Sequence, residues 1–383
     1  MATFDYETKQ GIKYGARGYL GIDETTGKQV NINKRGFDTR KEAETYFLRE
    51  KLRFQDEGKK KKANAYTYEE VFKQWLEIYS NDVKESTLAK TMQEFRLHIL
   101  PNFGDLIISR IKPNYIQKVV NEWHQQFKKY RLVYNYFCLV MEYAKLHDYI
   151  KHDPCEKVSV PTKKLDYGIE KKTKDFYDKE ELQEFLEVVE KNDRLKWYAM
   201  FRLLAFSGIR RGELLALTWN DIDFKGNTLS ITKTLAEGKE RRLIVQTPKT
   251  KASIREIGLD AITMNTLKKW RAEQAELLIG FGYNAMNPNQ LIFSNTKNNG
   301  FLHLGAPRKA LARICRDNNL EMINIHGFRH THCSLLFEAG VPMKDVKERL
   351  GHSDIQTTMN IYTHVTQSSR DKSAEKFAQY VNF

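Results

Sequence analysis

The sequence predicts a multidomain, mainly α-helical chain with a small β-rich module at its N-terminus, a four-helix domain in the middle and a mixed α+β domain at its C-terminus. Three observations carry this. The 383 residues exceed one average domain and suggest two or three. Hydrophobic residues make up 41% and charged residues 29%, enough apolar surface for proper cores and too much for global disorder. Short alternating runs broken by glycine occupy the first 57 residues, whereas helical spacing of apolar residues dominates from residue 66 onward.

In the N-terminal module, residues 1–57, Lys13 to Leu20 alternates loosely and Gln29 to Asn33 follows a Thr25-Thr26-Gly27-Lys28 turn. A helix is expected from Asp38 or Thr39, either of which could cap it, to about Phe54. So little apolar surface suits three strands against one helix. Arg17, Lys28, Lys34 and Arg35 could meet a DNA groove, or could form a solvated face. The run Gly58 to Ala63, with Lys59, Lys60, Lys61 and Lys62, reads as a basic linker over 58–65 that could follow a phosphate backbone.

Four helices are expected over 66–158. The first carries Tyr68, Val71, Phe72, Trp75, Leu76 and Tyr79. The second begins at Ser86-Thr87 and ends at Pro101 and Gly104, the third starts at Pro113, and the fourth runs from about Lys129 to Leu146. Their aromatics read as packing, with no catalytic set among them. A lysine-rich stretch follows, and 159–174 is taken as an interdomain linker.

The last domain, 175–383, opens with Asp178 and Glu181 as a capping box. An apolar helix from Leu195 to Phe206 meets Gly208, where a tight turn leads to Arg210 and Arg211 at a new helix start. An arginine held there needs an anion; within the chain Glu213 or Asp221 could supply it. Short strands follow around 228–232 and 242–246, then Pro248-Lys249-Thr250-Lys251-Ala252-Ser253. Further helices are expected around Leu267 to Leu278 and Ala306 to Asn318.

The segment His326 to Tyr362 gathers the most chemistry. His326 and Arg329 are three apart and share a helix face, His352 follows Gly351, and Tyr362 stands ten residues later. This combination suits phosphate chemistry: a guanidinium fork holds two oxygens of a tetrahedral phosphate, imidazoles exchange protons near neutrality, and a phenol is a nucleophile. Thr331 to Ala339, Gly340 and Met343 to Leu350 also resemble a helix-turn-helix.

Lysine and arginine number 63 against 49 acidic residues, a net charge of +14, which favours a polyanionic partner, nucleic acid first. The basic residues are spread through the chain and do not line one amphipathic helix, so no membrane partner is expected. The stretch MATFDYETKQG lacks the apolar core of a secretory signal, so a cytoplasmic location is expected. Cys138, Cys155, Cys315 and Cys333 show no C-x-x-C pairing and read as free thiols. Cys333 follows His330 and His332, but neighbouring side chains on a helix diverge, and no metal site is expected. Nor is any other cofactor; no G-x-x-x-x-G-K-[ST] loop occurs.

The words H-G-F-R-H-T-H, L-G-H-S and N-I-Y-T-H-V resemble the C-terminal signature of the tyrosine recombinases of the phage and conjugative-element integrase type, and G-I-R-R-G-E-L-L-A-L-T-W resembles their first arginine motif. The likeness is specific over 178–366 and loose over 66–160; over 1–57 only architecture supports it. It implies a tyrosine-recombinase catalytic domain at 175–383, a core-binding clamp at 66–158 and an arm-site DNA-binding module at 1–57. It further implies Tyr362 as nucleophile, Arg210 and Arg329 as phosphate ligands, His326 and His352 as phosphate or proton partners, and a hairpin lysine, Lys249 or Lys251, as general acid. Expected partners are double-stranded attachment-site DNA, further copies of the chain in a tetramer on paired sites, and DNA-bending or excision proteins, on the nucleoid of a bacterial cell. A type IB-like topoisomerase and a non-catalytic helix-turn-helix regulator are the alternatives. The tail, with Ala374, Phe377, Tyr380 and Val381, could fold back or dock on a neighbour.

Overall fold

The computed structural model describes residues 2–8, 11–22, 29–63 (backbone alone over 56–63), 66–162, 176–285, 287–356 and 358–359. It divides into two compact units, Met1–Leu165 and Asp166–Phe383.

The first unit begins with an antiparallel sheet of β1 (Ala2–Thr8), β2 (Gly11–Ile22) and β3 (Gln29–Phe37), with β2 central, followed by α1 (Arg40–Ala63). Thr39 caps the helix by accepting from the Glu42 backbone N–H (3.2 Å). The module's core is small: Ala16 from β2 meets Ala43 and Phe47 from α1, with Tyr14, Leu20, Ile32, Phe37 and Tyr46 around them. One expectation changes here. The stretch taken as a linker is helical through Ala63, because lysine and glutamate lose little rotamer freedom in a helix and one glycine does not break it.

Four helical rods then pack on aromatic side chains. These are α2 (Tyr68–Asp82), a continuous rod made of α3 (Glu85–Glu94), a π turn (Phe95–Ile99) and α4 (Leu100–Phe103), then α5 (Pro113–Gln126) and α6 (Tyr130–Leu146). Thr67 and Glu70 form a reciprocal capping box at α2. Pro101 does not end the second rod, as the sequence had suggested. The π turn shifts the bonding register just before it, with the Leu100 N–H reaching back to the Phe95 carbonyl, and proline sits in the first turn of α4, where its missing N–H costs little. Phe103 is fully buried, its ring 4.3 Å from Phe137 and edge-on to Tyr115 and Trp123.

In the second unit, α7 (Lys179–Asn192) starts at the Asp178–Glu181 capping box, and α8 (Leu195–Ser207) is buried almost all round. After α9 (Arg211–Ala216) come β4 (Ile222–Asp223), β5 (Thr228–Ile231), β6 (Thr234–Glu237), β7 (Leu243–Gln246) and β8 (Arg255–Gly258). They form a three-stranded sheet β4-β5-β8 and a separate hairpin β6-β7. The helices α10 (Ala261–Gly280), α11 (Ala306–Asp317), α12 (Gly327–Glu338) and α13 (Met343–Leu350) complete the unit. Its core joins α7, α8, α10, α11 and the start of α12 through Phe185, Phe201, Trp270, Leu311 and Phe328. The pair α12 and α13 does turn at Gly340, but α12 buries Phe328, Arg329, His332 and Cys333 in the unit. Among the described residues no helix is long and apolar enough to cross a membrane.

Candidate active site

The site begins where α8 stops. Gly208 closes the helix in the left-handed region (φ +64°), and a Cβ there would come within 2.7 Å of His332 and Leu350, so only glycine fits. The chain leaves extended, and Arg210 becomes the N-cap of α9. Three residues on, the buried Glu213 accepts from the Arg210 backbone N–H (3.0 Å) and from its guanidinium Nη1 (2.8 Å). Asp221 pairs elsewhere, with Lys233 at 2.7 Å. A second guanidinium, Arg255 on β8, donates at 3.1 Å to Glu213 Oε2, the oxygen that also takes the Arg210 backbone N–H. Burial works against the Glu213 charge, yet the two arginines, Arg255 foremost, outweigh it and hold the carboxyl below its ordinary pKa.

Arg329 comes from the first turn of α12, whose N-cap is His326. It is 2% exposed, and its Nη1 and Nη2 donate to the carbonyls of Gly208 (2.8 Å) and Leu350 (2.7 Å). Arg210 Nη2 donates to the next carbonyl, Gly351, at 3.2 Å. Two arginines from different helices are thus tied to consecutive peptide units, and the residue that follows is His352. Gly351 needs its left-handed backbone (φ +66°), since a Cβ would lie 2.8 Å from the Ala252 carbonyl. His352 is buried and shares a 2.8 Å hydrogen bond between Nδ1 and Thr358 Oγ1.

Both candidate histidines are neutral at physiological pH. Burial first, then His330 and the arginines, push His326 down to about 4. Burial first, then Arg329 and Arg210, push His352 down to about 3. Burial and the Arg210 and Arg255 charges lower even Arg329 to about 9. Several cations crowd one carboxylate, an arrangement that invites a further anion.

The lysines stand differently from the expected hairpin tip. The β6-β7 hairpin turns at 238–242, and Lys249 lies beyond β7, on the connection to β8, while Lys251 opens a short 3-10 turn. Both are exposed, and neither is on a strand, so the two do not share a strand face. Pro248, which has no N–H to give a ladder, follows the last paired residue, Gln246, and β8 pairs with β5 instead. Tyr362 and the tail lie outside the described residues, as does Lys28.

Of the expected groove-facing residues, Arg17, Lys34 and Arg35 are exposed on β2 and β3. Arg17 is paired with Asn33, and Arg35 with Gly15, which puts these two arginines on one sheet face. Arg35 lies over the Phe4 and Tyr6 rings, 5.5 Å from each. Lys34, opposite Ala16, is on the other face, toward α1. Lys59, Lys60, Lys61 and Lys62 belong to the α1 backbone, and their side chains lie outside the described residues.

Two arginines escaped the sequence reading. Arg255 binds the Arg349 and Ser253 carbonyls (2.8 and 3.0 Å) besides Glu213. Arg349 donates through Nε to His332 Nε2 (3.0 Å) and through Nη2 to the carbonyls of Phe206 and Gly258 (3.0 and 2.9 Å). Burial and then Arg349 push His332 down to about 3. Neither arginine follows a helical period or a motif word, and apart from Ser253 their partners are far away in sequence.

Residues 175–369 match the model of the Phage integrase family, and residues 67–124 that of the Phage integrase N-terminal SAM-like domain. The chain is 31% identical over 319 residues to a "Tyrosine recombinase XerC-like" protein of Caldanaerobacter subterraneus subsp. tengcongensis, covering 79% of this chain and 80% of that one. It is 25% identical over 361 residues to the ICEBs1 integrase of Bacillus subtilis, covering 93% and 94%. The fold resembles that of the Tn1549 transposon integrase solved in complex with a circular intermediate DNA, with a TM-score of 0.64, 18% identity, 82% of this chain and 100% of that one.

Proposed function

The chain belongs to the phage integrase family and is a tyrosine-type site-specific recombinase of mobile-element integration, and we propose that it cuts and rejoins attachment-site DNA through a 3′-phosphotyrosyl intermediate made by Tyr362. The observation that carries this reading is the convergence of Arg210 and Arg329 on the consecutive carbonyls of Gly351 and Leu350, beside two neutral histidines. The names of the relatives, integrase and tyrosine recombinase, favour exchange between sites over a topoisomerase or a regulator.

In this mechanism the phenolic oxygen of Tyr362 bonds to phosphorus as the bond from phosphorus to the 5′-oxygen breaks. Arg210 and Arg329 present N–H donors to the two non-bridging oxygens, each guanidinium having donors beyond those its carbonyl and carboxylate partners take. Lys249 gives a proton to the departing 5′-oxygen; Lys251 is the second candidate, two residues on. His326 and His352, neutral at working pH, hydrogen-bond the phosphate or take the Tyr362 proton and return it on rejoining. One phosphodiester is exchanged for another through the covalent link, so the bond energy is kept and neither ATP nor a metal is called for.

The partner is double-stranded DNA, read by the helical clamp at 66–158 and the arm-site module at 1–57, where Arg17 and Arg35 are the foremost contacts. Four copies act on paired sites, with bending and excision proteins as helpers, on the nucleoid of a bacterial cell. The test uses nicked attachment-site DNA in EDTA with full-length protein. Wild type should leave a covalent adduct on a denaturing gel, and Tyr362→Phe none. Binding without an adduct in the wild type would refute the mechanism.

A further inference from the structure

We infer that Arg255 is a positioning residue that keeps Arg210 available to phosphate and fixes the backbone that carries His352. The inference rests on the roles just proposed for those two residues. Arg255 is 6% exposed at its side chain and lies on β8, outside every motif word that marks the family likeness. Each of its three guanidinium nitrogens ends on a different segment: Nη2 on Glu213, Nη1 on the Ser253 carbonyl, and Nε on the Arg349 carbonyl in the last turn of α13.

Consider first the carboxylate. Glu213 divides its oxygens: Oε1 takes Arg210 Nη1, while Oε2 takes the Arg210 backbone N–H and Arg255 Nη2. A buried carboxylate with only one guanidinium in reach tends to close a two-pronged fork on it, because paired parallel N–H bonds are stronger than one. Arg255 holds Oε2 away from that fork. The second prong of Arg210 is then left to Gly351, whose carbonyl it meets at the longer distance of 3.2 Å.

The other end of Arg255 sets the histidine segment. With Nε on the Arg349 carbonyl, the side chain lies against Gly351 so closely that a Cβ there would be 3.0 Å from its Cδ and 3.2 Å from its Nη1. The peptide leading to His352 is therefore seated on the Arg255 side chain. A lysine at 255 would keep the charge and the buried stem, yet a single ammonium has no planar fork with which to join these three segments.

The experiment measures single-turnover cleavage of nicked attachment-site DNA by full-length Arg255→Lys and Arg255→Ala, beside DNA affinity and thermal melting. Arg255→Lys should bind DNA within about 3-fold of wild type but cleave about 100-fold more slowly, the scale of losing one oriented donor in an active site. Methylguanidinium, and not methylammonium, should restore part of the Arg255→Ala rate. Glu213→Gln combined with Arg255→Ala should cleave no more slowly than the worse single variant, since both act on Arg210. Cleavage by Arg255→Lys at the wild-type rate overturns the inference, because charge alone would then suffice. So does an Arg255→Lys variant that unfolds or loses DNA affinity as steeply as cleavage, which would make the residue a core cation only. Failure of wild type to form any adduct strikes the reading of the site instead, and is seen in the same gel.

Discussion

The helical bundle of the first unit and the candidate active site of the second are both well-buried cores, yet they bury opposite kinds of group. In the bundle, Tyr68, Phe72, Phe95, Phe103, Trp123 and Phe137 fill the interior, and the polar residues buried with them are Ser86 and Thr91 among those described. In the second unit Arg202, Glu213, Arg329, His332 and His352 are buried. The hydrophobic term that drives ring burial is non-directional, whereas a buried charge costs several kcal/mol unless every partner is in place. The lesson is that the bundle can be stable without being exact, and the centre cannot.

This contrast can be broken by experiment. Its most severe test is Arg329→Lys, which removes the fork that spans Gly208 and Leu350; cleavage should fall about 10³-fold, the upper range for losing an oriented donor. A rate within tenfold of wild type in a nicked-substrate assay would mean the centre is as forgiving as the bundle. Next is Phe103→Ala, which should lower bundle stability by about 3–5 kcal/mol in a urea melt, while cleavage per folded molecule stays near wild type.

A pH series sharpens the comparison further. Unfolded histidine takes its proton near 6.5, but the folded state protonates His326 only near 4 and His332 and His352 only near 3. As pH falls below 6.5 the unfolded state binds more protons than the folded one, so stability is lost progressively down to about 3. The thermal midpoint should therefore fall between pH 7.5 and pH 5, and His332→Gln should flatten that slope. Smallest of all, Leu97→Gln on the exposed side of the π turn should change stability by no more than about 0.5 kcal/mol.

Legibility in the sequence follows the same divide. The bundle helices were readable because apolar residues three and four apart must share a face, and even the capping box at Asp178 was visible as local spacing. Arg210, His326, Arg329 and His352 were readable as words of a family likeness. Arg255 and Arg349 were not, since a cation held within the fold is recognised by its partners, and theirs sit on other elements. The connection carrying Lys249 was misplaced on a hairpin because its alternating residues do not say which strand a segment pairs with; β8 joined β5 across the intervening β6-β7. Pro101 misled in the opposite sense, as a helix breaker absorbed by a change of register that no propensity scale records.

Arg329 is held by carbonyls, and both belong to helix ends: Gly208 closes α8 and Leu350 is the last residue of α13. The negative poles of two helix macrodipoles therefore meet at one guanidinium. Partial charges of this kind steady a cation without cancelling it, and unlike a carboxylate they do not compete as a full anion for the same donors. Among the described residues Arg329 makes no ion pair, so an incoming phosphate meets an uncancelled positive charge, and its binding there should weaken more steeply with salt than at an arginine already paired with an acid.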